Sequence, residues 1–256
     1  TKIITHICNY LILEKDFVTK IFAWIHNTLT IKPLLVFSDK IILPSLDFKN
    51  SLSYTVPSKK TLIVPFGVDT KVFKQNTAVK KKEQILFVGR LIPEKGFLHL
   101  MKAMQRLHTE YPSLKLKVIL SRVYDFEDYA KQCIRLDTGF LDIEYNVESK
   151  ELSKKYQESK CLIFPSIGTD SFGMVIIEAM ACGVPIAASS TPPMPEISAS
   201  AAVYFDPHKP DDIAEAIQSI MDNDILRKRL VRNGIERALF FSWSKTANDL
   251  INLFMH

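Results

Sequence analysis

Two carboxylates, Asp170 and Glu178, lie eight positions apart in the run Asp170-Ser171-Phe172-Gly173-Met174-Val175-Ile176-Ile177-Glu178. Glu178 stands inside an apolar segment that continues Ala179-Met180-Ala181. Apolar packing has no use for an acid at that place, so the arrangement asks what Glu178 binds. Upstream, Gly89-Arg90-Leu91-Ile92-Pro93-Glu94-Lys95-Gly96 puts two cations on one short loop after an apolar run. Arg90 can fork onto two phosphate oxygens and Lys95 adds a compact point charge, so the pair suits a diphosphate. A solvated loop in which Glu94 pairs with Lys95 accounts for the same residues. The loop is not a Walker sequence, and it lacks the GxGxxG spacing of dinucleotide folds.

The elements that would position these groups follow from local rules. Asp170 and Ser171 are N-cap types, and Gly173 allows a close backbone approach. Gly183 suits a left-handed C-terminal cap, and Pro185 stops the helix. Cys161 to Phe164 and Val184 to Ala188 read as buried strands on either side. The unit is strand, loop, helix, strand, which puts the Asp170 loop at the carboxyl edge of a parallel sheet, where such sheets bind ligands. Free amides of the first helical turn make an anion site. An ordinary capped helix remains the alternative.

Strand and helix patterns alternate along most of the chain. Lys2 to Thr5, Lys40 to Leu43 and Thr61 to Val64 read as short strands, and Phe17 to Leu35 as a helix with an Ile21, Trp24, Ile25, Thr28, Leu29 stripe. Lys71 to Glu83 is polar and aperiodic, a linker whose Lys80-Lys81-Lys82 run is expected to be solvated. Beyond it, strands are expected at 85–88, 114–120 and 141–145, and helices at 97–111, 126–135, 150–157, 210–223, 225–238 and 244–254. This alternation argues for a doubly wound α/β sheet with helices on both faces.

Composition narrows the function. The chain has 256 residues, 47% of them apolar, and a net charge of +5. That allows a sizeable core and favours small anionic ligands. No compact Lys/Arg stripe interleaved with aromatics appears, so nucleic acid is not an expected partner. Cys8, Cys133, Cys161 and Cys182 are scattered without metal-ligand spacing and read as reduced core thiols, disulfides being the minor alternative. No signal peptide or membrane-spanning run is evident.

The pairing of Gly89-Arg90…Glu94-Lys95-Gly96 with Asp170…Glu178-Ala179-Met180-Ala181 resembles the retaining glycosyltransferases of family 4, the glycosyl transferases group 1, which have the GT-B fold. Val64-Pro65-Phe66-Gly67-Val68-Asp69, Phe164-Pro165-Ser166, Asp206-Pro207 and Phe241-Ser242-Trp243 support the likeness from about Asp39 to the C-terminus. It implies a remnant of an N-terminal Rossmann-like acceptor domain and linker start at 1–75, a C-terminal Rossmann-like donor domain at 76–242, and a final helix at 243–256. The front of the N-terminal domain is expected to lie outside this chain, leaving the chain alone poorly active.

Catalytic roles are implied for Arg90, Lys95, Asp170 and Glu178. Arg90 and Lys95, with Gly89, would hold the donor diphosphate, and Glu178 would accept from the ribose hydroxyls. Asp170 would face the donor sugar, and the loop from Ser171 through Phe172, Gly173 and Met174 to Val175 would line sugar and phosphates. His6, at a strand end, matches an acceptor-side histidine, an ordinary polar His being the alternative.

The implied activity is metal-independent transfer of a hexose from a nucleotide-diphosphate sugar, with retention, to a glycan or lipid-linked acceptor. The expected location is the cytoplasm, at or near the inner face of a membrane, with no cofactor besides the sugar nucleotide. The stripe with Phe22 and Trp24 is a candidate peripheral membrane contact, core packing being the simpler account. A non-catalytic sugar-nucleotide-binding module and a GT-B sugar-nucleotide epimerase are the alternatives. Three departures stand out: Asp170 is one methylene shorter than the usual Glu, Ser121-Arg122-Val123-Tyr124 replaces a glycine-rich turn, and Pro192-Pro193 replaces a Gly-Gly.

Overall fold

Short apolar runs bounded by polar turns form nine parallel strands in two sheets among the described residues. The computed structural model describes residues 3–7, 27–52, 56–121, 127–168 and 170–255. The expected helix from Phe17 falls mainly outside them, as do Ile21, Phe22, Trp24, Ile25 and Cys8. The replaced glycine-rich turn is described only at Ser121.

The first sheet has strands β1 (Ile4–His6), β2 (Lys40–Leu43) and β3 (Thr61–Ile63), in that order. A π-helical turn, Asn27–Ile31, runs into α1 (Lys32–Phe37) before β2, and α2 (Leu46–Ser51) follows it. Ile41 and Leu43 of β2 pack on Leu35, Phe48 and Val56.

The second sheet begins after the linker. Its elements run β4 (Gln84–Gly89), α3 (Phe97–Glu110), β5 (Lys115–Leu120), α4 (Glu127–Ile134), β6 (Leu141–Tyr145), α5 (Ser149–Glu158) and β7 (Leu162–Phe164). They continue through α6 (Met174–Ala181), β8 (Ile186–Ser189), α7 (Met194–Ser198), β9 (Ala202–Phe205), α8 (Pro210–Asp222), α9 (Asp224–Ala238) and α10 (Trp243–Met255). The strand order is β6-β5-β4-β7-β8-β9, all parallel.

Strand side chains alternate between the faces with a period of two, and both faces are covered. Ile85, Phe87 and Ile163 join Phe97, Leu100 and Ile217 on one face. Leu86, Leu162 and Phe164 join Ile176, Ile177 and Met180 on the other. The order reverses direction between β4 and β7, which makes a crevice outside their carboxyl ends. The Gly89–Gly96 and Pro165–Gly173 segments leave the sheet at that crevice.

The lysine run of the linker is solvent-exposed, as expected, and two of its amines also bind the end of α5 and the residue after it. Lys82 pairs with Glu158 at 2.7 Å, and the Lys81 amine donates to the Ser159 carbonyl at 2.7 Å. Ser153 and Gln157 of α5 donate to the carbonyls of Val72 and Lys74. Where the chain crosses between sheets, the Val68 amide donates to Phe241 O at 2.9 Å and the Thr246 hydroxyl donates to Pro65 O at 2.7 Å. A Cβ on Gly67 would stand 2.1 Å from the Trp243 amide nitrogen, so only glycine permits this crossing.

Glu144 on β6 accepts from Lys117 at 2.9 Å and from Lys155 at 2.8 Å. Hydrogen bonds from Lys155 and then Lys117 hold its pKa down to about 2, against 4.5 unperturbed. A depressed folded-state pKa gives stability that is complete above the unfolded value and lost as pH falls through the folded one. The urea midpoint should therefore decline between about pH 4.5 and about pH 2. Glu144→Gln should lower the midpoint at pH 7 and flatten that decline; identical pH profiles for the two proteins would remove Glu144 from the account.

Candidate functional site

The crevice between β4 and β7 is built by one backbone carbonyl. Glu94 O accepts from Ile167 N at 2.9 Å, Gly168 N at 3.0 Å and the Ser166 hydroxyl at 3.1 Å. The two loops that carry the predicted residues are thereby tied to each other. Gly96 closes the first loop with φ 66°, and a Cβ there would lie 1.9 Å from Pro165 O. No other residue fits.

The tied loops bring Lys95 and Asp170 together as an ion pair, with both side chains less than one-fifth exposed. Lys95 thus pairs with Asp170 and not with Glu94. The Lys95 amine also stands 5.2 Å from the centre of the Phe164 ring. Asp170 Oδ2 and Glu94 Oε2 are buried with no hydrogen-bond partner among the described residues. A buried carboxylate oxygen without a donor is costly, and it marks a place where a ligand hydroxyl could donate. Gly89 ends β4, and Arg90 follows it, exposed and with no ion pair among the described residues.

Helix α6 starts at Met174, behind Gly173 in the left-handed region at φ 88°, and no side chain caps it. Asp170 and Ser171 therefore do not act as the N-cap: the ion pair engages Asp170, and the Ser171 carbonyl accepts from the Ser45 hydroxyl at 3.1 Å. Phe172 is core, edge-on to Phe66 at 5.3 Å and to Phe241 at 5.6 Å. Only its backbone is left for a ligand. Met174 and Val175 are half-buried in the first turn.

The C-terminus of α6 follows the expectation. Gly183 takes φ 66°, its amide donates to Met180 O, and the Val184 amide donates to Ala179 O. This is a Schellman cap.

Glu178 lies one turn in, and its Oε2 accepts a 2.8 Å hydrogen bond from the Tyr156 hydroxyl. Burial pushes the Glu178 carboxyl up to about 7, with the Tyr156 bond opposing that rise. His6 ends β1 with its ring 5.9 Å from Phe66, and desolvation lowers its pKa below 6.5. Among the described residues, no group of three His, Cys, Asp or Glu side chains could hold a metal ion. No described helix is long and apolar enough to cross a membrane.

The sequence profile described as "Glycosyl transferases group 1" matches residues 68–237. The chain belongs to this family. Among its relatives, the O-antigen chain mannosyltransferase B of Escherichia coli is 27% identical over 233 residues, covering 85% of this chain and 61% of that protein. The D-inositol 3-phosphate glycosyltransferase of Corynebacterium glutamicum is 30% identical over 178 residues, covering 66% and 42%. The chain thus spans about two-fifths to three-fifths of these relatives.

Among solved structures, Anabaena HepE in complex with UDP-glucose aligns with a TM-score of 0.83 at 17% identity, over 99% of this chain and 72% of that one. The sucrose-phosphate synthase of Thermosynechococcus elongatus aligns with a TM-score of 0.76 at 25% identity, over 89% and 60%. The fold is that of the GT-B glycosyltransferases, as the motifs imply.

Two site residues of this group 1 chain escape sequence reasoning. Tyr156 is fully buried and orients Glu178; its one signal is the Leu152, Tyr156 spacing within a polar helix. Glu196, on the short helix α7, accepts from the amides of Leu46 at 2.9 Å and Asp47 at 2.6 Å. It thereby grips the N-terminus of α2 across 150 positions of sequence, and no local pattern announces such a contact.

Tyr156→Phe removes a hydrogen bond to an ionised group, an interaction worth about 1.5–3 kcal/mol. The Glu178 pKa should then rise above its present value of about 7. An acid with a raised folded-state pKa contributes stability that is complete at pH below about 4.5 and fades as pH rises through about 7. The variant should therefore lose most stability near neutrality and above. Carbon-detected NMR of the Glu178 carboxyl in both proteins checks this, and an unchanged pKa would contradict it.

Proposed function

We propose that the crevice between β4 and β7 is the donor site of a retaining glycosyltransferase that uses a nucleotide-diphosphate sugar. The observation that carries this reading is the buried, unpartnered Oδ2 of Asp170 beside the Lys95 amine. An ammonium has three donors, so Lys95 can keep Asp170 and still reach phosphate oxygens. A sugar hydroxyl would supply the bond that Oδ2 lacks. Arg90, at the outer lip, would fork onto the diphosphate.

In the reaction the bond between the sugar's anomeric carbon and the diphosphate oxygen breaks, and its electron pair leaves with the diphosphate. The anomeric carbon becomes cationic, and an acceptor hydroxyl adds to it on the face the leaving group vacates. The hydroxyl's proton passes to the departing phosphate. Lys95 and Arg90 stabilise the charge that grows on that phosphate, a contribution of about 2.7–4 kcal/mol for one well-placed donor elsewhere. The scheme asks for no protein nucleophile and no metal. Glu178 accepts from the ribose hydroxyls once ionised, and Tyr156 favours that form. The acceptor, a glycan or a lipid-linked saccharide, would approach from the side of His6.

Thermal shift with uridine, guanosine and adenosine diphosphate sugars tests the donor reading. One of them should stabilise the protein, and Lys95→Ala and Glu178→Ala should each weaken that binding at least about tenfold, or ~1.4 kcal/mol. With an acceptor supplied, Arg90→Ala and Lys95→Ala should lower kcat by about a hundredfold or more. A non-catalytic binding module would show the shifts with no turnover to lose. A folded protein that none of the donors stabilises would overturn the donor site itself.

A further inference from the structure

The opposite edge of the same sheet carries a second cavity. It has a volume of about 630 Å³ and opens at the amino ends of β4, β7 and β8, between the linker and helices α8 and α9. That volume falls in the range of small-molecule sites. Helix α9 supplies two parallel rows by its four-residue spacing: Lys228 with Arg232, and Val231 with Ile235. Met221 of α8 and Lys81 of the linker share the lining, the Lys81 amine also donating to the Ser159 carbonyl.

Charge is not balanced within the cavity. Its lining holds five Lys or Arg side chains and no carboxylate. Lys160 is matched by Glu83 at 2.5 Å, and Arg227 is held by Asp224 and the carbonyls of Ile220 and Met221. Lys81, Lys228 and Arg232 make no salt bridge among the described residues. Three uncompensated cations beside an apolar wall call for an anion, yet a small inorganic anion would leave that wall wet.

We propose that this cavity binds an amphiphilic anion, a phosphate monoester carried on an apolar chain. Its phosphate would meet Lys228, Arg232 and Lys81, and its chain would lie along Val231, Ile235 and Met221. The site is separate from the β4–β7 crevice: the six residues of β4 put a strand of roughly 20 Å between the two edges. The ligand would touch Gly183, which ends the helix carrying Glu178, and Gln75 of the linker. The chemistry is shared by phosphatidic acid in a membrane and a free alkyl phosphate.

Calorimetric titration with octyl phosphate below its micellar concentration tests the proposal. Saturable one-to-one binding is expected, at least tenfold tighter than inorganic phosphate or octanol. Lys228→Glu with Arg232→Glu should weaken octyl phosphate binding at least tenfold with the thermal midpoint retained, while Lys95→Ala should bind as the parent does. Equal binding of inorganic phosphate, an indifferent double charge reversal, or loss of binding in Lys95→Ala would each overturn it. Sedimentation with vesicles containing phosphatidic acid, competed by octyl phosphate, assigns the source to a membrane lipid. Octyl phosphate binding without sedimentation assigns it to a free molecule.

Discussion

The carbonyl oxygen of Glu94 is the constraint on which the rest of the crevice depends. It accepts from two amides and a hydroxyl of the loop after β7, and so converts two independent loops into one ledge. The two strands are neighbours because the sheet order reverses there. Backbone groups at that edge would otherwise face each other unsatisfied, and buried main-chain donors need partners. Gly96 is the corollary: bringing the loops this close leaves no room for a Cβ against Pro165. The pairing of Lys95 with Asp170 follows from the same closure, since each side chain projects from one member of the tied pair.

A second layer of contacts ties the first sheet to this ledge. Glu196 accepts from two consecutive amides at the start of α2, where the helix's positive end favours a carboxylate. Ser45, the N-cap of α2, donates to the Ser171 carbonyl and accepts from Phe48. Phe66 then bridges His6 of β1 to Phe172 behind the ledge. The loop around Asp170 is therefore fixed from both sides, by Glu94 below and by the α2 turn above. Lys95 reaches Asp170 within this frame.

How far the sequence discloses this structure depends on the range of the interaction. The β6 strand is found at its expected bounds and α5, α8 and α9 within a residue of theirs, because period and local caps decide them. The Schellman end of α6 was legible from Gly183 alone. The start of α6 was not: Lys95 claims the Asp170 side chain, and the helix begins at Met174, behind Gly173 in the left-handed region. The short elements α2, α7 and β9 carry too few residues for a period to register. The Lys80–Lys82 run is exposed, as its composition suggests, but its contacts with Glu158 and Ser159 lie more than seventy positions away and carry no local signal. Tyr156 was hidden for a related reason: its packing partners belong to other elements.

The acids of the site keep their charge in check in two different ways. A largely buried charge with no partner is a liability. Paired with each other, Lys95 and Asp170 cancel most of that liability without using up the ammonium's donors. Glu178 has no ion pair among the described residues, and burial raises its pKa to about 7, so protonation relieves its charge near neutrality. On the proposed reading, ribose hydroxyls donating to the carboxylate favour the ionised form, so donor binding expels a proton. Affinity should then rise with pH through about 7. The two halves of the ledge thus meet the same problem differently, one by pairing and one by protonation, because one has a countercharge in reach and the other has only a tyrosine.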